Sequence, residues 1–307
     1  MAVKTQDELI GAHPTDGSIF SNWLSNTEDQ PKADIKHRKL DPDPAHLTDA
    51  IDKISDYLLI HHIPDSKVRE IKVKKRILDK YGFTNYVNNI DVLPSSHATL
   101  VGNGTEVIMS EYLKKTSGLE LLVYRLHYNP NVDQAMKGDD ALLLNPENVA
   151  EKIIIGESKF RASPDKPMVE EILKTMGDIS VTPISLSFIQ NTLHKEGKNI
   201  LAKEVAELQS NLAKNLTPII SVGFILSNHN THNHITRNGT SLNRNLVFAS
   251  IAITDPTDFL NACFDKAREK LDAIEKCSLT DFPMEYAADI VSAEVKQLFA
   301  KLKTLIA

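Results

Sequence analysis

The stretch Ile153-Ile-Ile-Gly-Glu-Ser-Lys-Phe160 decides how this chain is expected to fold. Its three consecutive isoleucines predict a strand that is buried on both faces, as at the centre of a sheet. Side chains two residues apart on a strand project to the same side, so Glu157 and Lys159 point together, with their Cα atoms roughly 6–7 Å apart. A carboxylate and an amine on so apolar a strand need partners or a chemical role.

A second acidic motif precedes this strand in the chain. Gly138-Asp-Asp-Ala-Leu-Leu-Leu144 predicts a turn followed by a short strand. If the two strands pair, Asp140 meets Glu157 and Lys159. Two carboxylates suit Mg²⁺, which prefers oxygen ligands, polarises a phosphate and lowers the pKa of an attacking water. We therefore expect Asp140 and Glu157 to bind a metal, and Lys159 to hold the water or offset charge as the phosphate is attacked.

Helical and strand patterns alternate along the rest of the chain. Helices are predicted over 47–59, 65–81, 105–115, 166–178, 183–214, 256–276 and 285–306, and strands over 119–128, 139–144, 152–160, 217–227 and 245–254. The first 45 residues are expected to be irregular with one short strand, and residues 83–103 to be a loop with strand fragments. This order indicates an α/β fold with an N-terminal accessory portion.

Bulk properties describe an ordinary soluble protein. The chain has 307 residues, of which 41% are hydrophobic and 25% charged, and its net charge is −6. Its two cysteines form no disulfide framework, no apolar signal core begins the chain, and no apolar run approaches the roughly 20 residues of a membrane span. A cytoplasmic protein is expected, and any nucleic-acid contact must come from a local basic patch.

Two polar segments have more than one interpretation. The run Lys67–Arg76 contains six basic residues and is either a phosphate-contacting face or the solvated side of an amphipathic helix. The loop that carries His229, His232 and His234 is either a zinc site or, as we favour, a polar loop between two strands. Trp23 is expected to anchor the N-terminal segment on the body of the protein.

The order of the acidic motifs resembles the PD-(D/E)xK nuclease superfamily, in which an acidic residue begins one strand and E-x-K lies on the next. An isolated E-x-K is a weak signal, since surface ion pairs produce it by chance. The Pro-Asp dipeptide is replaced here by Asp139-Asp140, which leaves both aspartates as candidate ligands, with Asp140 preferred. The resemblance also implies a carboxylate from the preceding helix, either Glu106 or Glu111, and the Gly-Thr-Glu sequence that ends at Glu106 favours that residue.

Over residues 95–255 the chain further resembles the HamA family of Hachiman antiphage systems. The resemblance implies a bacterial, Mg²⁺-dependent DNA endonuclease, with Mn²⁺ as the alternative ion, that is controlled by a superfamily-2-type helicase partner, HamB. The superfamily resemblance implies a restriction-endonuclease-like mixed sheet flanked by helices. From the order of the helices and strands we expect residues 1–90 to be a helical accessory and partner-binding region and residues 91–307 to be the nuclease-like domain. The expected catalytic residues are Glu106, Asp140, Glu157 and Lys159.

Two rival interpretations stay open. The net acidity and the single basic run also fit a non-catalytic DNA- or helicase-binding module that keeps a nuclease fold. A nuclease that acts on RNA is the third candidate, although the sequence carries no RNA-reading motif.

Overall fold

A mixed sheet runs through the part of the chain that the computed structural model describes, namely residues 3–28, 36–64, 80–82, 92–134, 136, 138–177, 183–229, 231, 233–235 and 243–276. Its seven strands lie in the order β1-β2-β7-β6-β5-β4-β3. They are β1 (Leu24–Glu28), β2 (His37–Pro42), β3 (Glu120–Leu121), β4 (Ala141–Leu144), β5 (Ile153–Arg161), β6 (Ile219–Ser227) and β7 (Leu246–Ala252). The strands β2, β7, β6 and β5 are parallel to one another, whereas β1, β4 and β3 pair antiparallel with their neighbours.

Helices cover both faces of this sheet. The described α-helices are α1 (Gln6–Ile10), α2 (Ile19–Trp23), α3 (Leu47–His62), α4 (His97–Ser117), α5 (Lys166–Met176), α6 (Leu186–Lys195), α7 (Asn199–Ala213) and α8 (Pro256–Lys276). Helices α1–α4 and α8 share one hydrophobic core with the sheet, and α5–α7 share a second core with its other face. The fold is therefore an α/β arrangement with a mixed sheet between two helical layers, as the sequence predicts.

Strand β5 has the central position that its isoleucines predict. It pairs with β4 on one side and with β6 on the other. Ile154 packs in the first core, while Ile153 and Ile155 pack in the second, and all three are fully buried. By the same alternation, Glu157 and Lys159 lie on the face of the sheet that carries Ile153 and Ile155.

Most of the helices and strands that the sequence predicts are present. The helices predicted over 47–59, 166–178 and 256–276 and the strands over 152–160, 217–227 and 245–254 are confirmed within a few residues. The single helix expected over 183–214 is wrong, because the chain breaks at Gly197, which has φ +76°, and continues as α7. The helices expected over 65–81 and 285–306 fall almost wholly outside the described residues.

Two expectations around α4 are wrong. The helix begins at His97 instead of Thr105, since Ser96 caps it through its side chain and Asp133 accepts bonds from Ser95 and Ser96. The strand expected over 119–128 pairs with β4 only at Glu120–Leu121. The chain then turns into a short 3₁₀ helix, Arg125–Tyr128, and its apolar residues are buried by packing rather than by strand pairing.

The N-terminal segment belongs to the main sheet. Residues 1–45 were expected to be irregular with one strand and the accessory portion to be helical, yet β1 and β2 both extend the sheet through the β2–β7 pairing. Trp23 is fully buried and stacks on Phe259 with ring centroids 5.3 Å apart, which confirms its anchoring role. The division into an accessory region, residues 1–90, and a nuclease-like domain, residues 91–307, stays a prediction.

Candidate active site

The edge where β4 meets β5 brings the predicted site residues together. Ala141 pairs with Gly156 in the antiparallel register, so Asp140 lies opposite Glu157 at the next position. Residues opposite each other in such a pair project to the same face. Lys159 lies two residues further along β5 and shares that face, which is the side covered by α5–α7.

Asp140 is fixed by the backbone of the neighbouring strand. Its Oδ2 atom accepts hydrogen bonds from the Ser158 amide at 2.8 Å and from the Ser158 hydroxyl at 2.9 Å. Its Oδ1 atom lies 3.3 Å from Nη2 of Arg125. These contacts hold the carboxylate at the end of the strand pair, where the sequence places the preferred ligand.

Asp139 has a different, structural set of contacts. Its amide donates to the Ser185 hydroxyl, and its Oδ2 accepts from the Ser185 amide, both at 3.0 Å. Gly138, with φ +149°, allows this turn, and a Cβ there would lie 2.9 Å from the Ser185 hydroxyl oxygen. Asp139 therefore ties the turn to the start of α6, and Asp140 is the aspartate that faces Glu157.

Glu106 is buried on α4 and reaches the site through Arg125. Arg125 Nη2 donates to Glu106 Oε2 at 2.6 Å, and its Nη1 donates to the carbonyls of Met136 and Gly138 at 3.2 and 3.3 Å. Burial raises the pKa of Glu106 to about 8, with Arg125 acting in the opposite direction. The guanidinium thus connects a carboxylate from the helical layer to the one at the strand edge.

Glu157 and Lys159 form a close pair on β5. Lys159 Nζ donates to Glu157 Oε1 at 2.8 Å, and Glu171 Oε2 on α5 lies 3.9 Å from the same nitrogen. Burial raises the pKa of Glu157, and the negative charge of Asp140 raises it further, while Lys159 lowers it. Two carboxylates that repel each other in a half-buried site are stabilised by a cation between them.

Glu111, the other candidate for the helix carboxylate, has separate contacts and does not reach Asp140. It is buried, accepts a hydrogen bond from His61 Nε2 at 2.7 Å and pairs with Lys114 at 3.1 Å. Burial acts to raise the pKa of Glu111, but the His61 bond and the Lys114 charge outweigh it and lower the pKa. The Glu106 alternative is thus the helix carboxylate that contacts the Asp140 network.

A small, open cleft lies beside this network. Its polar lining consists of His61, Glu106, Ser110, Arg125, Asp139 and Asp140, together with Ser185. Glu157 and Lys159 do not line the cleft. Asp140 is therefore the carboxylate that lies both at the cleft and opposite Glu157 of the E-x-K motif. The described residues hold no group of three or more histidine, cysteine, aspartate or glutamate side chains that could bind a metal ion by themselves.

The basic run Lys67–Arg76 and His232 of the histidine loop lie outside the described residues. In the part of the chain that is described, no helix has the length and apolar character needed to cross a membrane.

The sequence alone missed the residues that connect the site. Arg125 lies in a segment whose Leu, Val and Tyr content predicts a strand, so its approach to Glu106 and Asp140 had no local sign. Ser158 stands inside the E-x-K motif, and its bonds to Asp140 could have been expected from the strand pairing. Ser185 is separated from Asp139 by β4, β5 and α5, and no spacing rule brings the two residues together.

Comparisons with known proteins agree over most of the chain. A family model described as HamA matches residues 17–267. A Bacillus cereus protein named Hachiman protein HamA is 40% identical over 267 residues, which cover 87% of this chain and 96% of that protein. The matched span includes β1 and β2, the turn before β4, the E-x-K strand and most of α8.

Proposed function

The chain belongs to the HamA family, and from this premise and the geometry of the β4–β5 edge we propose that it is a metal-dependent DNA endonuclease of an antiphage defence system. The observation that carries the proposal is the strand register. It sets Asp140 opposite Glu157 and places Lys159 on the same face. Two carboxylates can bind a hard cation, and a neighbouring ammonium can offset the charge that develops during phosphodiester hydrolysis.

Asp140 and Glu157 are the residues that would hold the metal. Mg²⁺ is commonly bound by one or two protein carboxylates, with waters and the substrate phosphate completing its shell. The donor set fits, because the two carboxylates face each other and the charge of Asp140 raises the pKa of Glu157. When bound, the ion supplies Lewis acidity toward the phosphate and the water. Ser158 keeps Asp140 in place through its amide and hydroxyl.

Lys159 supplies the positive charge on the protein side. Its amino group lies 2.8 Å from Glu157 and within 3.9 Å of Glu171, so its position is set by carboxylates on β5 and α5. An ammonium held there can orient an attacking water by donating a hydrogen bond to its oxygen, and it offsets the negative charge that develops on the phosphate. Both effects need the charge at this point of the strand.

A helicase partner is part of the proposal. The chain carries a net charge of −6, so it has little general attraction for a polyanion. Delivery of DNA by a superfamily-2-type helicase, HamB, would place the duplex at the site without a strongly basic surface on this chain. The name of the Bacillus cereus relative, Hachiman protein HamA, supports the assignment to such a system.

The decisive experiment is a plasmid-degradation assay with the protein and its helicase partner in the presence of Mg²⁺ and ATP. We expect E157A, K159A and the double variant to lose at least about a hundredfold in cleavage rate, since each removes a charge used at the reacting phosphate. Lys166 and Glu170 form an exposed pair at 2.9 Å on α5, and K166A/E170A is the matched control. A double E157A/K159A variant as active as wild type would sink the proposal.

A non-catalytic binding module is the second candidate. Its support is that the site's carboxylates are already paired with cations of the chain, Glu106 with Arg125 and Glu157 with Lys159. Retention of DNA and partner binding, with no cleavage of duplex DNA, single-stranded DNA or RNA by the wild-type complex, would favour that candidate. Cleavage confined to RNA would instead change the substrate class and keep the catalytic residues.

A further inference from the structure

A cation of the protein already lies between Glu106 and Asp140. Arg125 Nη2 is 2.6 Å from Glu106 Oε2 and 3.3 Å from Asp140 Oδ1. Its Nη1 donates to the carbonyl oxygens of Met136 and Gly138. The side chain is only 11% exposed, so these four oxygens surround a largely buried guanidinium.

This position is the one that a second metal ion would need. In two-metal phosphodiesterases the ions lie about 3.5–4 Å apart, and an extra carboxylate usually helps to hold the second ion. Here Asp140 is the candidate for the shared carboxylate, and Glu106 is the extra one. An ion that contacts both would have to stand where Nη2 stands, because Mg²⁺ binds its oxygens at about 2.0–2.1 Å.

The guanidinium is not easily displaced from this place. Removing it would leave the Asp140 carboxylate without its positive partner and the buried Glu106 side chain without its hydrogen-bond donor, and loss of one partner from a buried ion pair is strongly destabilising. The two carbonyl contacts also join Arg125 to the turn that presents Asp140. If Arg125 left the site, the turn before β4 would therefore have to rearrange as well.

We propose that Arg125 permanently takes the place of a second metal ion, so that the site binds one divalent cation, on Asp140 and Glu157. The inference rests on the proposed nuclease function and deepens it. The guanidinium supplies the second positive charge beside the shared aspartate. Arginine suits this role because its guanidinium is always charged and its rigid fork of donors matches the geometry of a phosphate. The absence of a three-ligand cluster among the described residues agrees with a site of two carboxylates completed by water and phosphate.

The test is the number of Mn²⁺ ions bound per full-length chain, measured by titration calorimetry and by the electron paramagnetic resonance signal of free Mn²⁺. We expect one ion on the wild type and at least tenfold weaker binding on D140N or E157Q. In R125A, the pair Glu106 and Asp140 is free to take an ion, and two should bind. The variant R125A/E106Q should return to one.

Two matched variants separate a charge effect from a general disturbance. R125K keeps a cation near the two carboxylates and should still bind one ion. R161A removes an exposed arginine of β5 that pairs with Glu171, and it should leave the count at one. Circular dichroism verifies the fold of each variant, and R125Q replaces R125A in the titration if the alanine chain does not fold.

Each result decides the inference. Two ions on the wild type, or one ion on both the wild type and R125A, would overturn it while leaving a metal-dependent nuclease intact. No Mn²⁺ on the wild type, together with no cleavage by the helicase complex, would instead remove the proposed function on which it rests.

Discussion

His62 is a neutral histidine held from both sides. Its Nδ1 donates to the Leu58 carbonyl at 2.8 Å, and its Nε2 accepts from the Asn103 side-chain amide at 3.1 Å. Burial lowers the pKa of His62 from 6.5 to about 4. Protonation would place two donors, Nε2–H and the Asn103 amide, against each other in a buried space beside Phe264.

This histidine should make the protein acid-sensitive. With the pKa near 6.5 in the unfolded chain and about 4 in the folded one, the unfolded state binds more protons between these values. Stability is therefore complete above pH 6.5 and falls as the pH drops toward 4, by about 3 kcal/mol at 1.36 kcal/mol per unit. Urea unfolding from pH 7.5 to 4.5 measures the loss.

The matched variant is H62Q, which has no titrating group at this position. Its stability at pH 7.5 should be lower than that of wild type, but its further loss between pH 6.5 and 4.5 should be smaller by about 2 kcal/mol or more. H46Q changes an exposed histidine at the other end of α3 and should keep the wild-type slope. Equal slopes for wild type and H62Q would show that His62 is not the group responsible.

At the scale of helices and strands, the close approach of α5 to the sheet depends on Gly223. A Cβ at this position would lie 2.4 Å from Ile172 Cγ2 and 3.2 Å from Phe248 Cδ1. Ile172 is β-branched and its χ1 angle is restricted in a helix, so the Cγ2 methyl has little freedom to move and α5 would have to shift. Gly223 pairs with Glu157 in the sheet, and α5 also carries Glu171, so this contact helps to set the candidate site.

We therefore expect G223A to lower the free energy of unfolding by about 1–3 kcal/mol, the usual cost of overpacking a core. Urea unfolding at pH 7.5 is the measurement, and I172A should cost less in the G223A background than in the wild type, because the added methyl occupies part of the space that Ile172 leaves. G102A is the control, since a Cβ there meets nothing within 4 Å and alanine suits the interior of α4. It should be neutral or stabilise the protein by about 0.5–1 kcal/mol. An unchanged urea midpoint in G223A would contradict the packing.

The sequence predicts elements well where the periodicity is strong and fails where distant contacts decide. The three isoleucines of β5 can be satisfied only by burial on both faces, so a central strand follows from them. The segment after Leu121 has the composition of a strand, but β4 is short and Arg125 is drawn to carboxylates on two other elements. Strand pairing follows from the sequence pattern, so it brings Asp140 together with Glu157 and Lys159 as expected. The position of Arg125 depends on contacts between distant parts of the chain, which only the folded structure shows.

At the scale of the whole molecule, the N-terminal strands complete the first core. Arg38 on β2 is fully buried and bonds the side chains of Asp7 and Glu28, the Gly11 carbonyl and the Tyr112 hydroxyl on α4. Eight large apolar side chains from this part of the chain are buried in that core: Leu9, Ile10, Phe20, Trp23, Leu24, Leu40, Ile54 and Leu58. At roughly 1.5–3 kcal/mol each, their burial contributes about 12–24 kcal/mol.

Removal of residues 1–90 should therefore unfold the remainder. The loss is as large as the 5–15 kcal/mol by which domains are usually stable, and it also exposes the edge of β7 and the ring of Phe259 that Trp23 covers. Residues 91–307 expressed alone should aggregate or melt without cooperativity, as size-exclusion chromatography and thermal circular dichroism would detect. A chain that begins at Thr5 keeps the cap of α1 and should melt as the full protein does. A monomeric 91–307 chain with a cooperative melt would establish instead that the first 90 residues are a separable accessory region.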